Sequence, residues 1–306
     1  MIDTKENFKS GKLDKQTYIS KMYENHQLLF EYVKLINCTD IKKIEITDEG
    51  ILFTSRENET KLFCTKNDKR TAPFEILNFD KYEALDADLM YSLIRNGDTI
   101  FDIGANIGWY SINFSKKFPD SKIYSFEPIP DTYIQLDRNV ALNKLNNVKH
   151  YNFGFSDEEK KLSFYVSEFT SVSSSAQNLT EDINIKLVEC NVIPIDFFLK
   201  STPLKIDFIK CDVEGAELFV FKGALETLKI HQPVIFTEML RKWSAKFNYH
   251  PNDIINLLKT LNYKCFSAIS KNQLKEVKLV DDSTIETNFI FLNTKKHQEI
   301  ISRYEF

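Results

Sequence analysis

Apolar positions along the chain change rhythm several times, and each change predicts an element. From residue 1 to about 36, Tyr18, Met22, Leu29, Tyr32, Val33 and Ile36 recur at three- and four-residue spacing, which predicts helix. "IKKIEITDEGILFTSRENETKLFCT" then alternates in period two and breaks at "DEG" and "ENET". That is a small antiparallel meander with Asp48, Glu49 and Gly50 in its first turn. Residues 80–95 return to helical spacing and close at Asn96-Gly97.

From residue 98 short apolar runs alternate with helical segments. The strands are "TIFDIG", "KIYSFEP", "VKHYNFGFS", "IDFIKCD" and "PVIFTE", and then the closing pair "YKCFSAI" and "NFIFLN". Helices are expected at "WYSINFSKKF", from Asp131 to about Asn143, at "AELFVFKGALETLKI" and at "PNDIINLLKTLN". Alternation of this kind predicts right-handed crossovers and an α/β fold, a mostly parallel sheet with helices on both faces. The closing pair, joined by a charged segment without helical spacing, reads as an antiparallel edge. The Ser/Thr stretch at 170–175 reads as a loop over the carboxyl edge of the sheet. Residues 1–75 are expected to form one unit, an N-terminal helical and β-meander extension, and residues 76–306 a second, larger domain.

Composition narrows the class. Hydrophobic residues at 42% and charged residues at 27% suit a globular chain with a large aromatic core of 25 Phe and 13 Tyr. A net charge of −4 gives no basic surface for nucleic acid. Five single cysteines with no C-x-x-C pair suit a reducing cytoplasm rather than disulfides or zinc. The opening "MIDTKENFKSGKLDKQ" lacks the apolar core of a signal peptide, and no apolar run is long enough for membrane insertion. A cytoplasmic protein is expected.

Candidate chemistry collects at strand ends, where ligands bind in an open parallel sheet. Asp102 with Gly104, Glu127, Asp157, Asp212 with Glu214, and Glu238 all fall there. "DIGANIG" lacks the middle glycine with which a dinucleotide fold approaches a pyrophosphate. Glu127, 23 residues beyond Gly104, stands where an acid accepts hydrogen bonds from ribose hydroxyls. Gly104 and Gly108 let the turn pass beneath a nucleoside, and a helix opening near Asn106 offers its positive end to a carboxylate. A carboxylate, a ribose and no phosphate describe S-adenosylmethionine, whose sulfonium also explains the gathering of acids. Taken singly, each acid has a structural reading: Asp102 as a turn former, Glu127 as a strand-end residue before Pro128, and Glu217 as a helix N-terminal acid.

"FDIGANIGWYS", "YSFEPIPDTYIQLDRNVALN", "IDFIKCDVEGAELFVFKGA", "PVIFTE" and "NFIFLN" occur in this order over about residues 80–293. The stretch resembles the FkbM family of S-adenosylmethionine-dependent methyltransferases. The resemblance implies the class I methyltransferase (Rossmann-like) fold, a seven-stranded mostly parallel sheet with an antiparallel last strand. It also implies O-methylation of a sugar or a secondary metabolite, with a sugar-containing precursor of bacterial surface polysaccharide as the expected small-molecule acceptor and S-adenosylhomocysteine as product. Asp102, Gly104, Ala105, Asn106 and Gly108 are assigned to the methionine end of the cofactor and Glu127 with Pro128 to the ribose. Phe155, Ser156 and Asp157 are placed at adenine, and Tyr82 and Glu83 over the methionine carboxypropyl group.

Methyl transfer to a hydroxyl needs alignment and a proton acceptor. Asp212, Glu214 and Glu238 are the candidate bases. Lys210 alternates with Asp212 along the strand and is positioned to pair with these acids. Lys210, Ser173 and His250 are candidate acceptor contacts, although a His beside a Pro is also a common cap residue. No His/Cys/Asp spacing predicts a metal. Two other classes share the sheet. A nicotinamide oxidoreductase needs phosphate-binding glycines and a Tyr-Lys or His arrangement that the chain lacks, and a non-catalytic scaffold would not keep acids at every strand end. The extension is a candidate lid, packing element or homodimer contact.

Overall fold

A computed structural model describes residues 1–304 apart from Thr65, Asn67, 168–169 and 177–184, and for Ser167 and the strand Thr170–Ser175 it describes the backbone alone. Two helices come first, α1 (Ile2–Lys9) and α2 (Lys15–Asn37). Asp14 caps α2 by accepting the backbone N–H of Gln16 and Thr17. The meander follows as β1 (Ile41–Thr47), β2 (Gly50–Ser55) and β3 (Lys61–Phe63), a separate three-stranded antiparallel sheet. It docks on the main domain through side-chain amides. Asn139 Oδ1 accepts the Phe63 N–H at 3.0 Å, and Asn113 Oδ1 accepts the Thr60 hydroxyl at 2.8 Å.

Two helices precede the main sheet. α3 (Ala72–Phe79) is not legible from apolar spacing, and residue 75, the expected boundary, lies inside it. α4 (Ala84–Leu93) is shorter than the helix expected over 80–95, because Asp80 (φ 69°) and Glu83 (φ 42°) are left-handed and interrupt the turn.

The main domain then runs β4 (Thr99–Ile103), α5 (Trp109–Lys117), β5 (Lys122–Phe126), α6 (Pro130–Leu142) and β6 (Val148–Tyr151). An inserted sheet follows, built from β7 (Gly154–Phe155), β8 (Lys160–Ser167), β9 (Thr170–Ser175) and β10 (Ile185–Ile193) in the order β7-β10-β8-β9. The main sheet resumes with α7 (Ile195–Ser201), β11 (Phe208–Cys211), α8 (Glu217–Lys222), α9 (Leu225–His231), β12 (Val234–Glu238), α10 (Arg241–Lys246) and α11 (Pro251–Lys259). It closes with β13 (Tyr263–Ser270), β14 (Gln273–Glu276), β15 (Asn288–Asn293) and α12 (Gln298–Tyr304).

The main sheet has the order β14-β13-β15-β12-β11-β4-β5-β6. β6, β5, β4, β11 and β12 pair in parallel, and β15 enters antiparallel between β12 and β13. These seven strands form the expected mostly parallel sheet with one antiparallel strand. The last strand is interior, however, and the edge is β14, an added strand from the charged segment that pairs antiparallel with β13.

Three other expectations change. "VKHYNFGFS" is two strands, since Asn152 turns its amide onto the carbonyls of Glu127 and Pro128 and ends the ladder, and β7 pairs with β10 instead. The Ser/Thr stretch is strand β9 rather than a loop. "AELFVFKGALETLKI" breaks at Gly223, where a Cβ would lie 2.0 Å from the Ser156 carbonyl oxygen.

Alternation along β4 sets the layers. Phe101 and Ile103 face a core with Phe126, Phe155, Phe198 and Phe221, whereas Ile100 faces Phe114 and Phe208 under α5. Asp102 shares the α5 side and meets Ser111 there.

Candidate active site

Register aligns the strand ends. Cys211 pairs with Ile103 and Thr237, and Ile103 pairs with Phe126, so the residues that follow (Gly104, Glu127, Asp212) and Glu238 at the end of β12 share one edge. The loop after β4 is tied across this edge: Gly104 and Ala105 both donate to the Phe126 carbonyl at 3.0 Å. Glu127 completes the tie, with Oε2 accepting the Asn106 N–H and Oε1 the Ile129 N–H, each at 3.0 Å. Burial lifts its carboxyl to about 7 against the pull of those two amides.

The two glycines answer to the protein's own packing, Gly104 to backbone and Gly108 to a side chain. At Gly104 (φ +75°) a Cβ would lie 1.9 Å from the Asp212 carbonyl oxygen, and at Gly108 (φ +94°) 2.7 Å from Leu136 Cδ1. Their smallness lets β11 and α6 close on the loop, a different reason from the close ligand approach expected from sequence.

Lys210 is the hidden centre of the edge. It is buried, with Nζ 3.2 Å from Asp212 Oδ2, 3.7 Å from Asp102 Oδ1 and 3.3 Å from the Gly104 carbonyl oxygen. Burial alone would lower its ammonium, but Asp212, Asp102 and Glu83 hold it above its ordinary value. Asp102 is fully buried and takes the Ser111 hydroxyl at 2.5 Å. It supports Lys210 from below instead of facing a ligand.

A first cavity runs along this edge, lined by Gly104, Ala105, Asn106, Glu127 and Pro128, by Phe155 and Ser156, and by Lys210, Asp212 and Glu214. A second cavity adjoins it, lined by Lys81, Glu83, Glu238 and Trp243 among others. Arg70, Tyr82, Asp212 and Glu214 belong to both walls. Tyr82 stands edge-on to Trp109, ring centroids 5.6 Å apart, and Glu83 accepts the Tyr110 hydroxyl.

The acids crowd where the cavities meet. One oxygen each from Asp212, Glu214 and Glu238 lie within 4.8 Å of one another, a grouping that oxygen-loving divalent cations favour. Glu214 is held in the left-handed region at φ 55°. Burial first, and then repulsion from Asp212 and Glu217, carries the Glu214 carboxyl well above its usual range. Glu238 rises to about 10 through burial and the charges of Asp212, Glu214, Glu217 and Glu83. Glu217 stays apart from the cavities: its Oε1 accepts the N–H groups of Val213 and Gly215 at 3.0 and 3.1 Å and shapes the turn.

Three expected contacts, His250, Asp157 and Gly108, do not line either cavity. His250 is an exposed N-cap of α11 whose Nδ1 accepts the Asn252 N–H at 3.2 Å, so it is a cap and not an acceptor contact. Asp157 is exposed, pairs with Lys160 at 3.4 Å and accepts the Ser156 hydroxyl. Gly108 caps α5 behind the loop. Ser173 lies on β9, and its side chain falls outside the described residues.

Sequence reasoning missed other lining residues. Leu162 and Phe164 on β8 share one face by alternation and line the first cavity with Ile129. Arg70 sits in a charged run without periodicity. Only the alternation in "KKLSFYVS" was available as a signal, and it does not say what the strand covers.

The Methyltransferase FkbM domain model matches residues 102–265, from within β4 into β13, and takes in Asp102, Glu127, Asp212, Glu214, Glu217 and Glu238. This chain belongs to the FkbM methyltransferase family. Among its FkbM relatives, Methyltransferase sdnD of Sordaria araneosa is 28% identical over 193 residues, 53% of this chain and 73% of that protein. Hexuronic acid methyltransferase AglP of Haloferax volcanii is 29% identical over 147 residues, 46% of this chain and 56% of AglP. The 31-O-demethyl-FK506 methyltransferase FkbM of Streptomyces tacrolimicus is 25% identical over 158 residues, 42% of this chain and 60% of that one. The crystal structure of Methyltransferase FkbM from Methylobacillus flagellatus is similar with a TM-score of 0.43 at 16% identity, over 71% of this chain and 53% of that chain. This FkbM chain thus spans little more than half the length of most of these relatives. No described helix is long and apolar enough to cross a membrane.

Proposed function

We propose that this protein methylates a hydroxyl group of a small acceptor, a sugar or sugar-bearing glycan precursor, with S-adenosylmethionine as donor. The observation that carries the reading is the meeting of two cavities at Tyr82, Asp212 and Glu214. One cavity suits the donor, the other the acceptor.

The first cavity fits the donor in its chemistry. Ile129, Phe155, Leu162 and Phe164 offer an apolar slot for adenine, and Glu127 offers a carboxylate to the ribose diol. Trp109 also lines it, and its buried Nε1–H has no hydrogen-bond partner among the described residues, a donor left for a ligand carboxylate. Asp212 suits a cationic group. When bound, S-adenosylmethionine would supply a methyl group already activated on a sulfonium.

The protein's residues would then do the remaining work. Asp212, compensated by Lys210 at 3.2 Å, accepts the proton of the acceptor hydroxyl as its oxygen takes the methyl group. Glu238, protonated near neutrality, donates a hydrogen bond to a neighbouring acceptor oxygen. Tyr82, edge-on to Trp109, walls the junction and limits water. The polar lining of the second cavity and the sugar named for the AglP relative support a sugar acceptor. A hydroxyl on a secondary metabolite is the second reading, favoured by the relative named for FK506.

The test is transfer of labelled methyl from S-adenosylmethionine to a panel of sugars, hexuronic acids and nucleotide-linked sugars. The reading expects an alkali-stable methyl ether on one class, and an Asp212→Asn enzyme slower by about 10²–10⁴-fold. Label recovered only on nitrogen, or on no acceptor, overturns it.

A further inference from the structure

A methyl group on sulfur can reach an acceptor only where the two cavities meet, and the amino-acid tail of the donor hangs from the same sulfur. Its carboxylate therefore needs a cation at or beside that junction. Among the described residues the first cavity has Arg70, Lys160 and Lys210 on its walls. Lys210 is committed to Asp212, Asp102 and the Gly104 carbonyl. Lys160, at the start of β8, is committed to Glu158 at 2.9 Å and Asp157 at 3.4 Å. Arg70 remains, and of the three it alone also lines the second cavity.

Arg70 is held in place by the segment that carries it. Between β3 and α3, buried Asp68 accepts the Arg70 backbone N–H on Oδ1 at 2.9 Å. The Arg70 Nε–H donates to Oε1 of Glu75, in the first turn of α3, at 3.2 Å. Glu75 takes only this inner nitrogen, and Nη1 and Nη2 make no hydrogen bond to any described residue. A guanidinium fixed through Nε keeps its outer nitrogens for a second anion. Thr71 and Ala72, which follow Arg70, line the first cavity but not the second. Arg70 thus reaches the junction from the donor side, which favours the donor's own carboxylate over an anion on the acceptor.

We infer that Arg70 is a donor-binding residue whose outer guanidinium nitrogens hold the α-carboxylate of S-adenosylmethionine. The Trp109 Nε1–H, offered to the same carboxylate, is neutral and cannot offset its charge. The inference rests on S-adenosylmethionine being the donor. Arg70 precedes the family match at residues 102–265, so the chain ahead of β4 completes the donor site and does more than pack against it.

Calorimetry with three nucleosides separates the tail from the rest of the ligand. S-adenosylhomocysteine has the whole tail, decarboxylated S-adenosylmethionine keeps the amine without the carboxylate, and methylthioadenosine lacks both. Arg70→Gln should weaken S-adenosylhomocysteine at least about 10-fold and leave the other two within about 2-fold, as loss of a charge-assisted hydrogen bond predicts. Arg70→Lys should retain part of the affinity, because the charge stays while the fork is lost. The Arg70 side chain is 60% exposed, so both variants should melt within a few degrees of the parent. A loss for S-adenosylhomocysteine below about 3-fold in both variants overturns the inference and leaves the donor reading standing. So does an equal loss for all three nucleosides, or a rise in KM for an anionic acceptor with donor affinity unchanged. A parent protein that binds none of the three overturns the donor reading and the inference together.

Discussion

Asp102 and Lys210 are register partners on adjacent parallel strands, and their side chains meet 3.7 Å apart beneath the first cavity. The pair is nearly sealed, with side-chain exposures of 0% and 5%. Lys210 then reaches up to Asp212 at 3.2 Å, so one buried cation serves a structural acid below and a site acid above.

Removing that cation should be costly. Lys210→Met leaves Asp102 buried without its counter-charge, a change that typically destabilises by about 3–5 kcal/mol. Urea unfolding at pH 7 reads this directly. A loss below about 1 kcal/mol would mean that Asp102 is protonated in the folded state and that Lys210 holds only Asp212.

The inserted sheet makes a second, separable prediction. If Leu162 and Phe164 cover adenine, Phe164→Ala should weaken S-adenosylhomocysteine and methylthioadenosine alike, by about 10-fold each, as loss of an aromatic contact and its buried area predicts. Calorimetry with both ligands is the check. Weaker binding of S-adenosylhomocysteine alone would move Phe164 to the methionine end.

The acid cluster predicts a pH dependence of stability. Glu238 rises from 4.5 to about 10 in the folded protein, and Glu127 and Glu217 rise to about 7. Raised folded values mean that the native state holds these protons more tightly than the unfolded chain. Their stabilisation is complete below about 4.5 and drains as pH rises, through about 7 for two of them and about 10 for Glu238. Melting temperature should therefore fall from pH 5 to pH 9. Glu238→Gln should flatten the fall above pH 7 and melt at least about 2 °C higher than the parent at pH 9, as about 1 kcal/mol would give. Parallel curves for the two proteins would contradict the assignment.

The sequence made the sheet legible because alternation and strand-end punctuation are local. "TIFDIG", "KIYSFEP", "IDFIKCD" and "PVIFTE" each carry an apolar run and a polar stop, and register then puts their ends together. Non-local information was missing. Gly104 was visible as a close-approach glycine, but only the fold shows that Asp212 is what approaches it. Asp102 and Lys210 announce charge in a strand, while their burial against each other depends on which strands are neighbours. His250 shows the reverse case: "HPNDII" is a local capping signal, and the structure uses it only as that. Leu162, Phe164 and Arg70 stand far in sequence from any motif, so nothing local connects them to the cavity.

On the proposed reading, the edge formed by Gly104, Glu127 and Asp212 binds a nucleoside with an amino-acid tail. Calorimetry of S-adenosylhomocysteine with the parent protein and with Glu127→Gln measures it most directly. The account predicts micromolar binding by the parent, no binding of NAD, and about 10–100-fold weaker binding by Glu127→Gln, the range expected when a charge-assisted hydrogen bond is lost. Absent binding of S-adenosylhomocysteine, or equal affinity in the two proteins, would contradict it.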